Sequence, residues 1–147
     1  MFIPQNPNFK ELILEKLNGQ HFMHHIGFEL TSIEPGEVKG EMQIEEYIKQ
    51  QTGFIHGGAT ATFADLVMGF AAYSLVKLDQ VVVTADLRVS YLNPGIGERV
   101  IAKGWVIKPG SKLIFCEGEI VTIKNGIETL IAKASATMAV VNMVDLK

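Results

Sequence analysis

The sequence predicts an α+β protein in which one antiparallel sheet curls around a single long helix. Three observations carry this. Residues 57–76 form the most apolar stretch, rich in small residues and interrupted by one charge, Asp65, as expected for a helix wrapped by protein. Two alternating strand-like runs precede it and four longer ones follow. Such an order leaves one sheet to cover one helix on most of its sides.

Taken in order, residues 9–18 carry Leu12, Ile13 and Leu17 at helical spacing and stop at Gly19. This predicts a short amphipathic helix within an N-terminal helical extension, residues 1–20. Residues 30–34 and 37–44 flank Pro35-Gly36, with Val38, Gly40, Met42 and Ile44 alternating against charged neighbours, so a hairpin opens the sheet. Residues 50–55 lead to His56-Gly57-Gly58. After them about twenty residues have helical composition, including Ala59, Ala61, Phe63, Ala64, Met68, Ala71 and Ala72. Strand runs follow at 81–91, 99–108, 113–123 and 128–141, rich in β-branched residues. Turns punctuate them at Asn93-Pro94-Gly95, Pro109-Gly110-Ser111 and Asn125-Gly126. No repeat or linker divides the chain, so one domain over residues 1–147 is expected.

A chain of 147 residues, 48% hydrophobic and 20% charged, can bury one sizeable core unaided. The formal net charge of -3, with 13 scattered Lys and Arg, disfavours nucleic acid as a partner. No apolar run reaches bilayer-spanning length, and residues 1–10 lack the pattern of a secretory leader, so no membrane partner is expected. The lone Cys116 excludes an intrachain disulfide, and no Cys/His spacing suits zinc; a cytoplasmic setting fits.

Chemistry concentrates at Gly53-Phe54-Ile55-His56-Gly57-Gly58. Glycines at a helix start let a ligand approach backbone amides that lack intrahelical partners, although they serve tight packing against a sheet equally well. The helix dipole adds about half a positive charge there, suited to the oxyanion of an attacked carbonyl. Asp65 sits among Phe63, Ala64, Leu66, Val67 and Met68, where an ionised carboxylate costs several kcal/mol unless compensated. It is a candidate general base or nucleophile. Eight helical residues put Asp65 about 12 Å along the axis from Gly57, too far for one carbonyl to touch both within one chain. If both serve one reaction, the carboxylate comes from a second copy, and a homodimer is required. Gln50 or Gln51 can add a side-chain amide to the oxyanion site, and the Thr84 hydroxyl can orient a water beside Asp65.

With those residues in view, the chain resembles hotdog-fold acyl-CoA thioesterases of the phenylacetate-degradation type, over nearly everything from Phe22 to Val140. The core of the resemblance is Gly-x-x-His-Gly-Gly at 53–58 followed by Ala64-Asp65, with a second signature at 84–94 ending Tyr91-Leu92-Asn93-Pro94. It implies that the Gly57 amide polarises the thioester carbonyl and that Asp65 of a partner subunit attacks it or activates water, near Thr84. Many members carry Asn six residues before the motif histidine; Gln50 stands here, keeping the amide donor with one more methylene. His56 is commonly structural in such sites, its ring tying the loop before the helix. The resemblance also implies homodimers that pair into homotetramers.

The expected substrate is an acyl-CoA thioester, hydrolysed without metal or other cofactor, since coenzyme A belongs to the substrate. For its contacts the candidates are Gly58, Gln51, Phe54 and Met68, with Lys108, Ser111 and Lys112 offering charge and amides to phosphates. Phe22, Met23 and Phe70 can line a pocket or fill core, so aromatic and aliphatic acyl groups both stay open. Two competing readings are a hydratase of the same fold, moving protons with His56 and Asp65, and a non-catalytic acyl-CoA-binding protein.

Overall fold

The computed structural model describes residues 1–146. Helices α1 (Phe9–Asn18) and α2 (His21–Ile26) precede the hairpin β1 (Glu29–Glu34) and β2 (Glu37–Gln43); a 3-10 turn (Glu46–Ile48) leads to α3 (Gly57–Tyr73). Strands β3 (Gln80–Tyr91), β4 (Arg99–Lys108), β5 (Leu113–Lys124) and β6 (Ile127–Asn142) follow, and a second 3-10 turn spans Met143–Leu146. The six strands make one antiparallel sheet in the order β1-β2-β4-β5-β6-β3, with α3 lying across it.

The buried stripe of α3 explains its docking. Phe63, Ala64, Val67, Met68 and Ala71 recur at helical spacing and have no exposed surface, so one face meets the sheet continuously. Glycines in the sheet let it come close: a Cβ at Gly104 would lie 2.6 Å from the backbone of Val67 and Met68. Phe63 also stacks on Phe28, ring centroids 5.0 Å apart. At the far end the β1–β2 turn is pinned to the helix exit, because Gly36 N–H donates to Ser74 Oγ at 2.7 Å in a buried setting.

Three features depart from the sequence expectations. Residues 21–26 form a helix that six residues are too few to announce by periodicity; Gly27 ends it in the left-handed conformation (φ 77°). The sheet curls around α3 as expected, with β2 to β6 all packed against the helix, but it leaves an open side on which Ala61, Thr62, Asp65, Leu66 and Gly69 are half-buried. Finally, β3 carries a one-residue bulge at Ala85, since Thr84 pairs with Met138 while Asp86 pairs with Thr137.

The bulge decides which β3 side chains reach α3. Thr84 and Tyr91 are seven positions apart, an odd separation that would place them on opposite faces of a regular strand. With the extra residue at 85 both face the helix: Thr84 reaches Asp65 and Tyr91 reaches Gly57.

Candidate active site

The start of α3 is held by its own N-cap residue. His56 is extended (φ −61°, ψ 136°), its carbonyl accepts from Ala59 and Thr60 N–H, and its ring Nδ1 accepts from Gly58 N–H at 2.9 Å. Gly57 N–H is thus the first-turn amide left without a protein partner among the described residues. On its other side the Tyr91 hydroxyl donates to the Gly57 carbonyl at 2.7 Å, and the Tyr91 ring lies where a Cβ at Gly57 would just touch it. The preceding loop is fixed by backbone bonds: His56 N–H to Ile48 O (2.8 Å), Ile55 N–H to Gly95 O (2.9 Å) and Gln50 N–H to Phe54 O (2.8 Å). Gly53 takes φ 85° there, which only glycine adopts without strain. Gln50 and Phe54 line a cavity of about 320 Å³ together with Ile55, Tyr91 and Asn93.

Two turns along α3, Asp65 is half-buried on the open side, and the Thr84 hydroxyl donates to its Oδ1 at 2.6 Å. That bond supplies compensation for a carboxylate in an apolar helix. Thr84 Oγ1 is also 3.5 Å from Met138 Sδ. Asp65, Thr84 and Met138 line a cavity of about 440 Å³ whose other walls include Leu66, Phe70, Val81 and Val82. A second cavity of about 570 Å³ opens beside the helix start, lined by His56, Ala59, Ile26 and Ile48 among others.

The structure sorts the remaining candidates by position. Met68 is fully buried against the sheet and lines neither the Asp65 nor the His56 cavity, so it is core; it lies on the stripe of Ala64, Val67 and Ala71, whereas Asp65 shares the open side with Thr62, Leu66 and Gly69. Gly58 has its amide engaged by His56, and Gln51 is exposed beside the loop. Lys108, Ser111 and Lys112 are exposed on the β4–β5 turn and line neither the Asp65 nor the His56 cavity. Met23 is core, while Phe22 and Phe70 line the Asp65 cavity. Tyr91 was legible only as part of a motif. Its role depends on strand parity, which the bulge reverses. Among the described residues no cluster of three or more His, Cys, Asp or Glu side chains could hold a metal ion. Nor is any described helix long and apolar enough to cross a membrane.

A six-stranded antiparallel sheet curled on one long helix defines the hotdog class of fold, and it sets an unpartnered amide at the helix start and a carboxylate two turns along it. The chain matches the Thioesterase superfamily over residues 52–129, more than half its length, and belongs to that family: it is a thioester hydrolase. It is 28% identical to human "Acyl-coenzyme A thioesterase 13" over 121 residues, 81% of this chain and 86% of that protein. To the "Proofreading thioesterase EntH" of Klebsiella pneumoniae it is 30% identical over 88 residues, 58% of this chain and 64% of that one. A crystal structure of a thioesterase family protein from Silicibacter pomeroyi superposes with a TM-score of 0.89 at 30% identity, covering 91% of this chain and 98% of that one.

Proposed function

We propose that this thioester hydrolase acts on acyl-CoA, converting the thioester to free acid and coenzyme A at a site shared between two copies of the chain. The observation that carries the reading is the division of labour along α3. Gly57 N–H is left free by the His56 cap, and Asp65 is held by Thr84 on the open side about 12 Å away.

The Gly57 N–H, aided by the helix dipole and the Gln50 side-chain amide, donates to the oxyanion that forms as the carbonyl is attacked. Asp65 of the second copy attacks the carbonyl carbon or takes the proton of the attacking water; Thr84 orients that carboxylate through one oxygen and leaves the other for the reaction. The thiolate of coenzyme A departs and takes up a proton. Where water attacked, the acid is released directly; where Asp65 attacked, a water then hydrolyses the acyl-aspartyl anhydride to free acid and regenerates the carboxylate. No step asks for a metal or other cofactor. His56 serves as the cap that shapes the helix start.

Two surfaces support a homodimer. β3 is an edge strand with Val83 and Tyr91 exposed beside it, a row of backbone groups ready for pairing. The open side of α3 lies beside that strand, where a second copy would bring its own helix start. Pairing of such dimers into homotetramers is part of the same proposal. The unpaired thiol of Cys116 suits a reducing, cytoplasmic setting.

The test is release of free thiol from phenylacetyl-, benzoyl-, hexanoyl- and palmitoyl-CoA by wild type, Asp65→Asn and Gly57→Pro. Proline is tolerated at a first helical position, where it replaces the N–H with a ring carbon and sets a Cβ in ordinary contact with Tyr91, and the extended His56 suits the residue before it. Each variant alone is expected to lose turnover, and mixing the two to restore part of it, because one hybrid site then has both groups intact. Wild-type turnover undiminished in Asp65→Asn sinks the mechanism. Binding of acyl-CoA with no turnover by wild type turns the reading into that of a binding protein.

A further inference from the structure

The two cavities on the open side of α3 adjoin, and the side chains common to both are Phe22 and Thr62. Thr62 is small and part of the long helix, its hydroxyl donating to Gly58 O at 2.9 Å. Phe22 belongs to α2, where Met23 points into the core and Phe22 stays 58% exposed. Single exposed apolar residues are ordinary, so exposure alone assigns nothing. Its position does: on one side lie Asp65, Leu66, Phe70 and Met138, on the other Ile26, Ile48 and Ala59.

We infer that Phe22 sets the acyl-chain length accepted for hydrolysis, its ring dividing one apolar groove along α3 into two compartments. The inference rests on the proposed reaction, in which the thioester lies at Asp65. An acyl chain held there fills the first compartment, about 440 Å³, and meets the ring; only a chain that displaces the ring reaches the second, about 570 Å³. Both volumes lie in the range of small-molecule sites. Most of the named walls are apolar, so each further methylene that enters gains burial and each one blocked forfeits it. A ring on a six-residue helix is a fitting divider, since so short a helix is held by its packing rather than by its own propensity. The ring touches the acyl group and not the reacting atoms, so Phe22 acts on chain length and not on the chemical step.

The experiment measures kcat/KM for saturated straight-chain acyl-CoA from butyryl to palmitoyl with wild type, Phe22→Ala, Phe22→Leu and Phe22→Trp. Phe22→Ala is expected to raise the palmitoyl-to-hexanoyl ratio by about tenfold or more, Phe22→Leu by less, and Phe22→Trp to lower it, all mainly through KM. The ratio is taken within each variant, so any loss of folded protein cancels. Chain-length profiles that coincide across the four proteins, with wild type active, overturn the role of Phe22 and leave the hydrolase reading standing. A wild type that turns over no member of the series, while binding them, overturns the reaction and this inference with it.

Discussion

The two sides of α3 are built from the same helix and obey different rules. Toward the sheet, Phe63, Ala64, Val67, Met68 and Ala71 are sealed, and Gly104 brings β4 so close that no side chain fits between. On the open side, Thr62, Asp65, Leu66 and Gly69 are half-buried beside cavities, and the polar groups there are held by hydrogen bonds rather than by packing. Packing on the closed side tolerates little change because interiors are near crystal density. The open side has room, and on the proposed function that room admits another molecule. Small residues therefore mean close approach on one side and access on the other, a distinction composition does not make.

If the two sides divide stability from chemistry, substitutions on each should move one quantity and spare the other. The largest effect is expected from Asp65→Asn: kcat/KM for a good acyl-CoA falls by about 10²–10⁴-fold while the urea midpoint stays near that of wild type. A stability loss of the same weight would mean that Asp65 is structural, and the contrast between the sides would fail. Next comes Gly104→Ala, whose Cβ would sit 2.6 Å from the backbone of α3. It is expected to cost about 2–3 kcal/mol in denaturant unfolding, with KM of the surviving folded protein unchanged.

Smaller effects sharpen the boundary. Thr84→Val removes the hydroxyl that holds Asp65 and keeps the branched shape, so kcat is expected to fall about tenfold with little change in KM. An unchanged kcat would show that the carboxylate is oriented by something else. Least of all is the alkaline response of the buried titratable groups, Cys116 behind the closed side and Tyr73 at the end of α3 beside the Asp65 cavity. Burial pushes the Cys116 thiol from its ordinary 9.0 up to about 12, and Tyr73 is raised by burial and then by the nearby Glu15 carboxylate. The folded state keeps these protons when the unfolded chain has lost them. For Cys116 the stability is complete below pH 9.0 and is lost as pH rises toward 12. Urea midpoints between pH 8 and 11 are expected to fall for wild type and to fall less steeply for Cys116→Ala.

Much of this protein could be read from local pattern. The helix over 9–18, the hairpin at Pro35-Gly36, the long helix after Gly57 and the four later strands each announce themselves by a period or a turn residue, which depend only on neighbours in the chain. The candidate chemistry was equally local, because glycines at a helix start and a carboxylate in an apolar helix are anomalies visible in a few consecutive residues. What sequence did not determine were the long-range pairings. Asp65 meets Thr84 and Gly57 meets Tyr91 only because a bulge at Ala85 shifts the parity of β3, and the sequence of that strand does not mark where the extra residue falls. Tertiary packing likewise chose which side of α3 stays open, sent Met68 to the core and set Phe22 between two cavities. Helical spacing limits which residues share a side; only the sheet that arrives decides which side is covered.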